Sequence, residues 1–342
     1  MINLDIHQII SEYFNDFKDI INMYNLDSDH QNYIHIKNLY NIGHKYRFNL
    51  TQEIIEQPKF KELKKLCIYD YEKIKNVNHM EKLEQLNCGG TCGIDQEGIK
   101  KLINLRKLNV QNNIEINDVN HMEKLEKLNC GCDYGCDYGI DQNGIKKLIN
   151  LRKLNVQNNR EIKDVNHMEK LEELICGCNS GIDQNGIKKL INLRKLDAWE
   201  NKKIKAVNHM KKLEELDCGG KSKIDQEGIK DLINIRKLDV SDNNKIKNIN
   251  HMEKLEELDC SWNCGINQEG IKDLINIIKL NANCNNNIKD VNHMEKLEEL
   301  SCKGYCGIGQ KGIKHLINLR KLNADENEKC QSQRPKAKTH IF

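Results

Sequence analysis

The stretch L-E-E-L-D-C-S-W-N-C-G-I, Leu255–Ile266, decides the fold, because the stretch before it, I-R-K-L-D-V-S-D-N-N-K-I at Ile235–Ile246, obeys the same frame, L-x-x-L-x-[LVC]-x-x-N-x-x-I. Over L-x-[VC] the apolar residues alternate, the period-two pattern of a short strand with one face inward. The frames recur at alternating steps of 22 and 20 residues, together a 42-residue unit. Each unit carries the landmark [VI]-N-H-M, with its histidine at His79, His121, His167, His209, His251 and His293, spaced 42, 46, 42, 42 and 42. The longer step comes from a tandem duplication, C-D-Y-G at Cys132–Gly135 and again at Cys136–Gly139. A fixed period of this length marks a stacked solenoid, in which each unit buries its apolar face against the next. One frame at Leu63–Ile74, with Tyr71 at the Asn position, followed by six pairs, predicts about 13 strands.

The return segments differ. G-I-N-Q-E-G-I-K-D-L at Gly265–Leu274 opens on an Asn or Asp suited to an N-cap and predicts a short helix. I-K-D-V-N-H-M-E-K-L predicts a more compact extended or 3₁₀ stretch. The Asn at Asn113, Asn159, Asn243 and Asn263 is expected to bond backbone groups where each strand turns away.

From Phe60 to Asn327 the chain resembles leucine-rich-repeat proteins, and I-D-Q-E-G-I-K-D-L at Ile224–Leu232 resembles the I-T-D-x-G-L-x-x-L arc of the cysteine-containing repeats of F-box adaptors. The Asn, Ile and Lys bias and the near-identity of the repeats are similar to the repeat proteins of giant viruses that infect amoebae. The resemblance implies an α/β leucine-rich-repeat solenoid. It would hold a curved parallel sheet of about 13 short strands, a convex side of short helices and arcs, and a small N-terminal helical segment. The expected organisation is a helical segment at 1–55, the solenoid at 56–327 and a basic tail at 328–342.

Within 1–55, Leu4, Ile6, Ile9, Ile10, Tyr13, Phe14, Phe17, Ile20, Ile21 and Tyr24 recur at helical spacing. The order L-D-I-H-Q-I-I-S-E-Y-F-N-D-F-K-D-I-I resembles a degenerate F-box, the helical motif that docks the Skp1 subunit of a cullin ubiquitin ligase. That resemblance implies Skp1 contact through Leu4, Ile6, Ile9, Ile10, Phe14 and Phe17. The segment departs from the family at Asp5, where the motif usually has proline. The same residues equally suit a helical cap over the exposed solenoid end.

The 342 residues carry 54 basic and 51 acidic side chains, a net charge of +3, which argues against a nucleic-acid binder. Only Arg334, Lys336 and Lys338 form a basic cluster, in the tail. No apolar run reaches the roughly 20 residues of a membrane span, and the first residues lack a secretory pattern. The expectation is an intracellular, cytoplasmic protein (host-cell cytoplasm for a viral one), a monomer without membrane contact.

Cys88, Cys130, Cys176, Cys218, Cys260 and Cys302 occupy one repeat position. Equivalent residues stand about two strand spacings, ~10 Å, apart, too far for a disulfide. They are expected to be buried, reduced and metal-free. Close pairs such as Cys260 and Cys264 lack the second pair that structural zinc requires. The six histidines sit on the convex arc, too far apart to share an ion. With no phosphate loop, H-E-x-x-H or nucleophile elbow, no cofactor and no catalysis are expected.

What remains is the concave face. Strands at the start present Lys107, Lys127 and Lys153 among neutral residues, a sum of +3. Central strands present Lys195, Asp197, Glu215, Asp217, Lys237, Asp239, Glu257 and Asp259, a sum of −4. Glu173, Lys195, Glu215, Lys237, Glu257, Lys279, Glu299 and Lys321 alternate in sign and can pair with one another. Asp197, Asp217, Asp239 and Asp259 form a like-charged column, which either a basic partner or solvent and salt would relieve. Ile175 and Trp199 interrupt the polar pattern where Asn or Asp and Gln or Ser are usual, and Trp is frequent among binding hot spots. These six residues are the expected site for a protein partner, with Trp262 and Tyr305 nearer the rim.

Overall fold

The computed structural model describes residues 36–40, 50–135 and 138–331, and the chain divides into two compact units, Met1–Leu171 and Glu172–Phe342. Leu4, Ile6, Ile9, Ile10, Phe14 and Phe17 lie outside the described residues, as do Arg334, Lys336 and Lys338.

The first unit holds β1 (Asn38–Leu39), β2 (Lys65–Cys67), β3 (Gln85–Asn87), β4 (Lys107–Asn109), β5 (Lys127–Asn129) and β6 (Lys153–Asn155), paired in parallel and in chain order. The second holds β7 (Glu173–Ile175), β8 (Lys195–Asp197), β9 (Glu215–Asp217), β10 (Lys237–Asp239), β11 (Glu257–Asp259), β12 (Lys279–Asn281), β13 (Glu299–Ser301) and β14 (Lys321–Asn323), paired the same way. Each strand is as short as its frame demands. In β2 to β13 the central leucine points inward and is buried; in β3 to β13 its flanking residues lie on the open face, whereas in β2 Cys67 is buried too. This is a leucine-rich-repeat solenoid, with fourteen described strands where about 13 were expected; the addition is Asn38–Leu39, inside 1–55.

The invariant residues of the repeat prove to be ladders of hydrogen bonds between turns. Asn243 donates from Nδ2 to the carbonyls of Cys218 (2.8 Å) and Ile224 (3.1 Å). Asn113, Asn159, Asn201, Asn285 and Asn327 repeat the arrangement, all buried. In the Leu63–Ile74 frame Tyr71 replaces this Asn and donates its hydroxyl to the Leu50 carbonyl. The expectation for Asn263 fails, because that residue is exposed. In its frame the turn is one residue longer before it re-enters the core, and Cys264 takes the buried place, its Sγ accepting from the Ile266 amide at 3.5 Å.

Every histidine of the landmark sets Nε2 2.9–3.1 Å from an isoleucine carbonyl of the preceding turn, such as His251 on Ile229. A carbonyl only accepts, so Nε2 carries the proton. Gln226 clamps the next arc, donating to the Asn248 carbonyl and accepting from the Lys247 and Asn248 amides. Gln96, Gln142, Gln184 and Gln268 do the same.

The predicted helices contract to single turns. Asn143–Ile145, Asn185–Ile187, Gln268–Gly270 and Gln310–Ile313 are 3₁₀, and Gln226–Ile229 is one α-helical turn. The caps are as expected, Asp225 accepting from the Gly228 amide and Asn267 from that of Gly270. Turns this tight press on their predecessors. A Cβ on Gly270 would stand 2.0 Å from the Lys247 carbonyl oxygen, which is why the arc reads I-N-Q-E-G-I.

Candidate functional site

Packing thus accounts for most of the repeat, and the positions left free to vary line the open face of the sheet. In the second unit they form two rows. The first residue of each strand gives the row Glu173, Lys195, Glu215, Lys237, Glu257, Lys279, Glu299 and Lys321. Lys195 meets Glu215 at 3.2 Å, Glu257 lies between Lys237 (3.4 Å) and Lys279 (3.3 Å), and Lys321 meets Glu299 at 3.4 Å. One residue earlier, Arg194 meets Glu214 and Arg236 meets Glu256, each at 2.5 Å. These exposed pairs are worth a few tenths of a kcal/mol each, on the order of 0.2–1, and they cancel charge along their own rows.

The third residue of each strand gives the row Ile175, Asp197, Asp217, Asp239, Asp259, Asn281, Ser301 and Asn323, all half-buried. Asp197, Asp217, Asp239 and Asp259 are register partners, and Ile175 stands opposite Asp197. Each aspartate makes an Asx turn at the strand's end. Asp197 accepts from the Trp199 amide (3.1 Å), Asp217 from Gly219 (3.1 Å), Asp239 from Ser241 (2.9 Å) and Asp259 from Ser261 (3.0 Å). The Ser241 and Ser261 hydroxyls add 2.6 Å bonds to Asp239 and Asp259.

Asparagine makes the same turn elsewhere. Asn109, Asn129, Asn155 and Asn281 accept from the amide two residues on at 2.9–3.2 Å. The turn therefore requires an amide or carboxylate oxygen but no charge, and the four carboxylates are surplus to it. The environment resists them. Burial raises the carboxyls of Asp197 and Asp239 above the usual range. Asp217, enclosed by the column, is pushed up to about 7 by burial and by the charges of Asp239, Asp197 and Asp259.

Trp199 lies two residues beyond Asp197 and is 39% exposed, against 63% for Trp262 and 89% for Tyr305. Its indole rests on the backbone of Gly219 and Gly220, where an added Cβ would approach the ring to 3.1 and 3.3 Å. Tyr69 lies over Gly89 and Gly90 in the same way in the first unit. The sequence carried this signal: Cys-Gly-Gly occurs at Cys88–Gly90 and Cys218–Gly220, in each case with an aromatic residue 20 positions before the first glycine.

An open depression of about 430 Å³ lies over β10 to β14, floored by Lys237, Asp239, Glu257, Asp259, Lys279 and Asn281 with Glu299, Ser301, Lys321 and Asn323 beyond. Of the six expected site residues it takes in Asp239 and Asp259; Ile175, Trp199, Asp197 and Asp217 stand outside it. The lysine and glutamate floor was legible only as a structural ladder, since nothing in a sequence tells which part of a uniform face is hollowed. Asn281 closes the acidic column, donating to Asp259 at 2.6 Å.

Among the described residues no group of three His, Cys, Asp or Glu side chains is arranged to hold a metal ion, and no helix is long and apolar enough to cross a membrane. The six ladder cysteines are buried free thiols. Burial alone pushes Cys130 up to about 12. Cys132, in the duplicated loop, is disulfide-bonded.

No family model matches the chain, and no curated protein matches it. Solved structures do. An internalin from Listeria monocytogenes aligns over 78% of this chain and 82% of its own with a TM-score of 0.60 at 20% identity. TLR13, in its complex with ssRNA13, aligns over 85% of this chain and 53% of its own at 0.54 and 18%. Mouse RP105, in its complex with MD-1, aligns over 79% and 60% at 0.51 and 13%. Identities this low establish a shared fold.

Proposed function

We propose that this chain is a non-enzymatic, protein-binding repeat protein whose second unit holds a basic protein segment on its open face. The in-register column Asp197, Asp217, Asp239 and Asp259 carries this reading, because asparagine makes the same turn elsewhere and the charge costs stability. A cationic segment laid along it would convert mutual repulsion into four charge-assisted contacts. The column disfavours phosphate, so a nucleic acid is the wrong charge for this face. Beside it Ile175 and the exposed side of Trp199 supply an apolar anchor, flanked by polar residues as at many interfaces.

A finer proposal concerns the first 55 residues. Leu4, Ile6, Ile9, Ile10, Phe14 and Phe17 dock Skp1, which makes the chain a cytoplasmic substrate adaptor for a cullin ubiquitin ligase. The alternative is a plain interaction scaffold in which this segment is a cap. Skp1 recovery with the full chain tests it. Recovery that Ile10→Asp with Phe14→Asp abolishes supports the adaptor, and no recovery by the parent leaves the scaffold.

The face itself is tested by binding kinetics with a partner captured by the full chain, at low and high salt. Trp199→Ala should speed release. Changing the four aspartates to asparagine should slow association and flatten its salt dependence, since long-range charge acts on encounter and desolvated contact on dissociation. If both variants bind like the parent, the column is not the site.

A further inference from the structure

The last turn breaks the repeat at one buried position. Three residues after Asn113, Asn159, Asn201, Asn243 and Asn285 stands an isoleucine, but three after Asn327 stands Cys330. It fills the same buried place, on the single helical turn Glu328–Gln331. Its Sγ lies 3.8 Å from that of Cys302, whose thiol donates to it. Cys302 is the last of the cysteine ladder, whose members otherwise stand ~10 Å from one another. Cys306, four residues after Cys302, is buried as well. Three thiols gather where an ordinary turn of this chain, such as that of Cys260 and Cys264, has two.

We propose that Cys302 and Cys330 form a reversible disulfide that staples the terminal turn of the second unit to the repeat before it, with a low-molecular-weight disulfide such as glutathione disulfide as the oxidant. Cys330 yields its proton to water, and its thiolate attacks one sulfur of glutathione disulfide and expels one glutathione thiolate, which takes up a proton from water. Cys302 then yields its proton to water, and its thiolate displaces the second glutathione from Cys330. Two protein thiols become one disulfide as one glutathione disulfide becomes two glutathiones. The hydrogen bond from Cys302 holds Cys330 below the usual thiol range, which makes Cys330 the attacking group.

Two features make the exchange workable. The sulfurs need approach by only about 1.8 Å to reach bonding distance, within reach of side-chain rotation. Access requires the terminal turn to open, and this turn is less firmly clamped than the others. The Gln310 Oε1, whose counterparts accept two amides from the following arc, is buried without a partner among the described residues. Asn327 still pins the turn through the Cys302 and Ile308 carbonyls, at 2.7 and 3.1 Å. The bond would close a loop spanning a separation of 28 residues and restrain that opening.

The full chain, equilibrated over a range of reduced to oxidised glutathione ratios, quenched by alkylation and digested, tests this by mass spectrometry. The expected product is a Cys302–Cys330 cross-linked peptide that is lost in Cys330→Ser and retained in Cys306→Ser. Tryptic cleavage after Lys329 should slow at least about tenfold on oxidation of the parent. Cys330→Ile, which restores the residue of the other turns, should keep the fold and show no such redox dependence. A Cys302–Cys306 cross-link, a stable glutathione adduct on Cys330, or no cross-link at any ratio in a chain with native circular dichroism would overturn the proposal.

Discussion

Asp217→Asn should stabilise the protein above neutral pH and leave it unchanged in acid. Asp217 has Asp197 and Asp239 as register partners on its two sides. At the ~4.8 Å strand spacing each neighbour costs about 0.9 kcal/mol in the dielectric of water. Salt with a Debye length of about 8 Å trims this and partial burial restores some of it, so the pair comes to ~1–2 kcal/mol. The sign follows from the carboxyl, raised from its ordinary 3.8 to about 7 in the folded state first by burial and then by these neighbours, so ~1–2 kcal/mol is the neighbours' share of the penalty and burial adds to it. Between those values the folded chain binds more protons than the unfolded chain, so stability falls as pH rises from 4 to 7. The penalty is complete above pH 7 and absent below pH 4. Asparagine keeps the turn, as Asn281 does at 3.2 Å from the Asn283 amide, and removes the titration. Urea unfolding of parent and variant from pH 4 to pH 8 should give equal midpoints in acid and a gap that opens with pH. A gap independent of pH, or none at pH 8, would refute the argument by showing the column already neutralised.

Three further outcomes follow from the ladders. Asn243→Ala leaves the Cys218 and Ile224 carbonyls without their partner in the core, and should lower unfolding stability by ~2–4 kcal/mol in denaturant titration. Gly270→Ala puts a methyl group 2.0 Å from the Lys247 carbonyl oxygen, so the arc must shift, at ~1–3 kcal/mol by thermal melt. Cys218→Ser sets a hydroxyl in a fully buried apolar place and should cost roughly 1–3 kcal/mol by the same melt, with no change in metal content.

The sequence by itself determined the repeat, the parallel three-residue strands and their register. A 42-residue period repeated this closely leaves one way to stack, and L-x-[VC] leaves one inward face. It also determined that Asp197, Asp217, Asp239 and Asp259 share a column, since equivalent positions of stacked turns are neighbours. Tertiary structure decided what each repeated residue does. Whether Asn243 or Asn263 enters the core depends on one residue of turn length, which the shared pattern hides. The arcs that local spacing wrote as helices became single turns, 3₁₀ in four of them and α-helical at Gln226–Ile229, because the preceding turn's carbonyls stand too close for more. The depth of the face over β10 to β14, the seat of Trp199 on Gly219 and Gly220, and the meeting of Cys302 with Cys330 all join atoms from different turns. Distances of that kind arise from how turns pack on one another, and a period alone cannot state them.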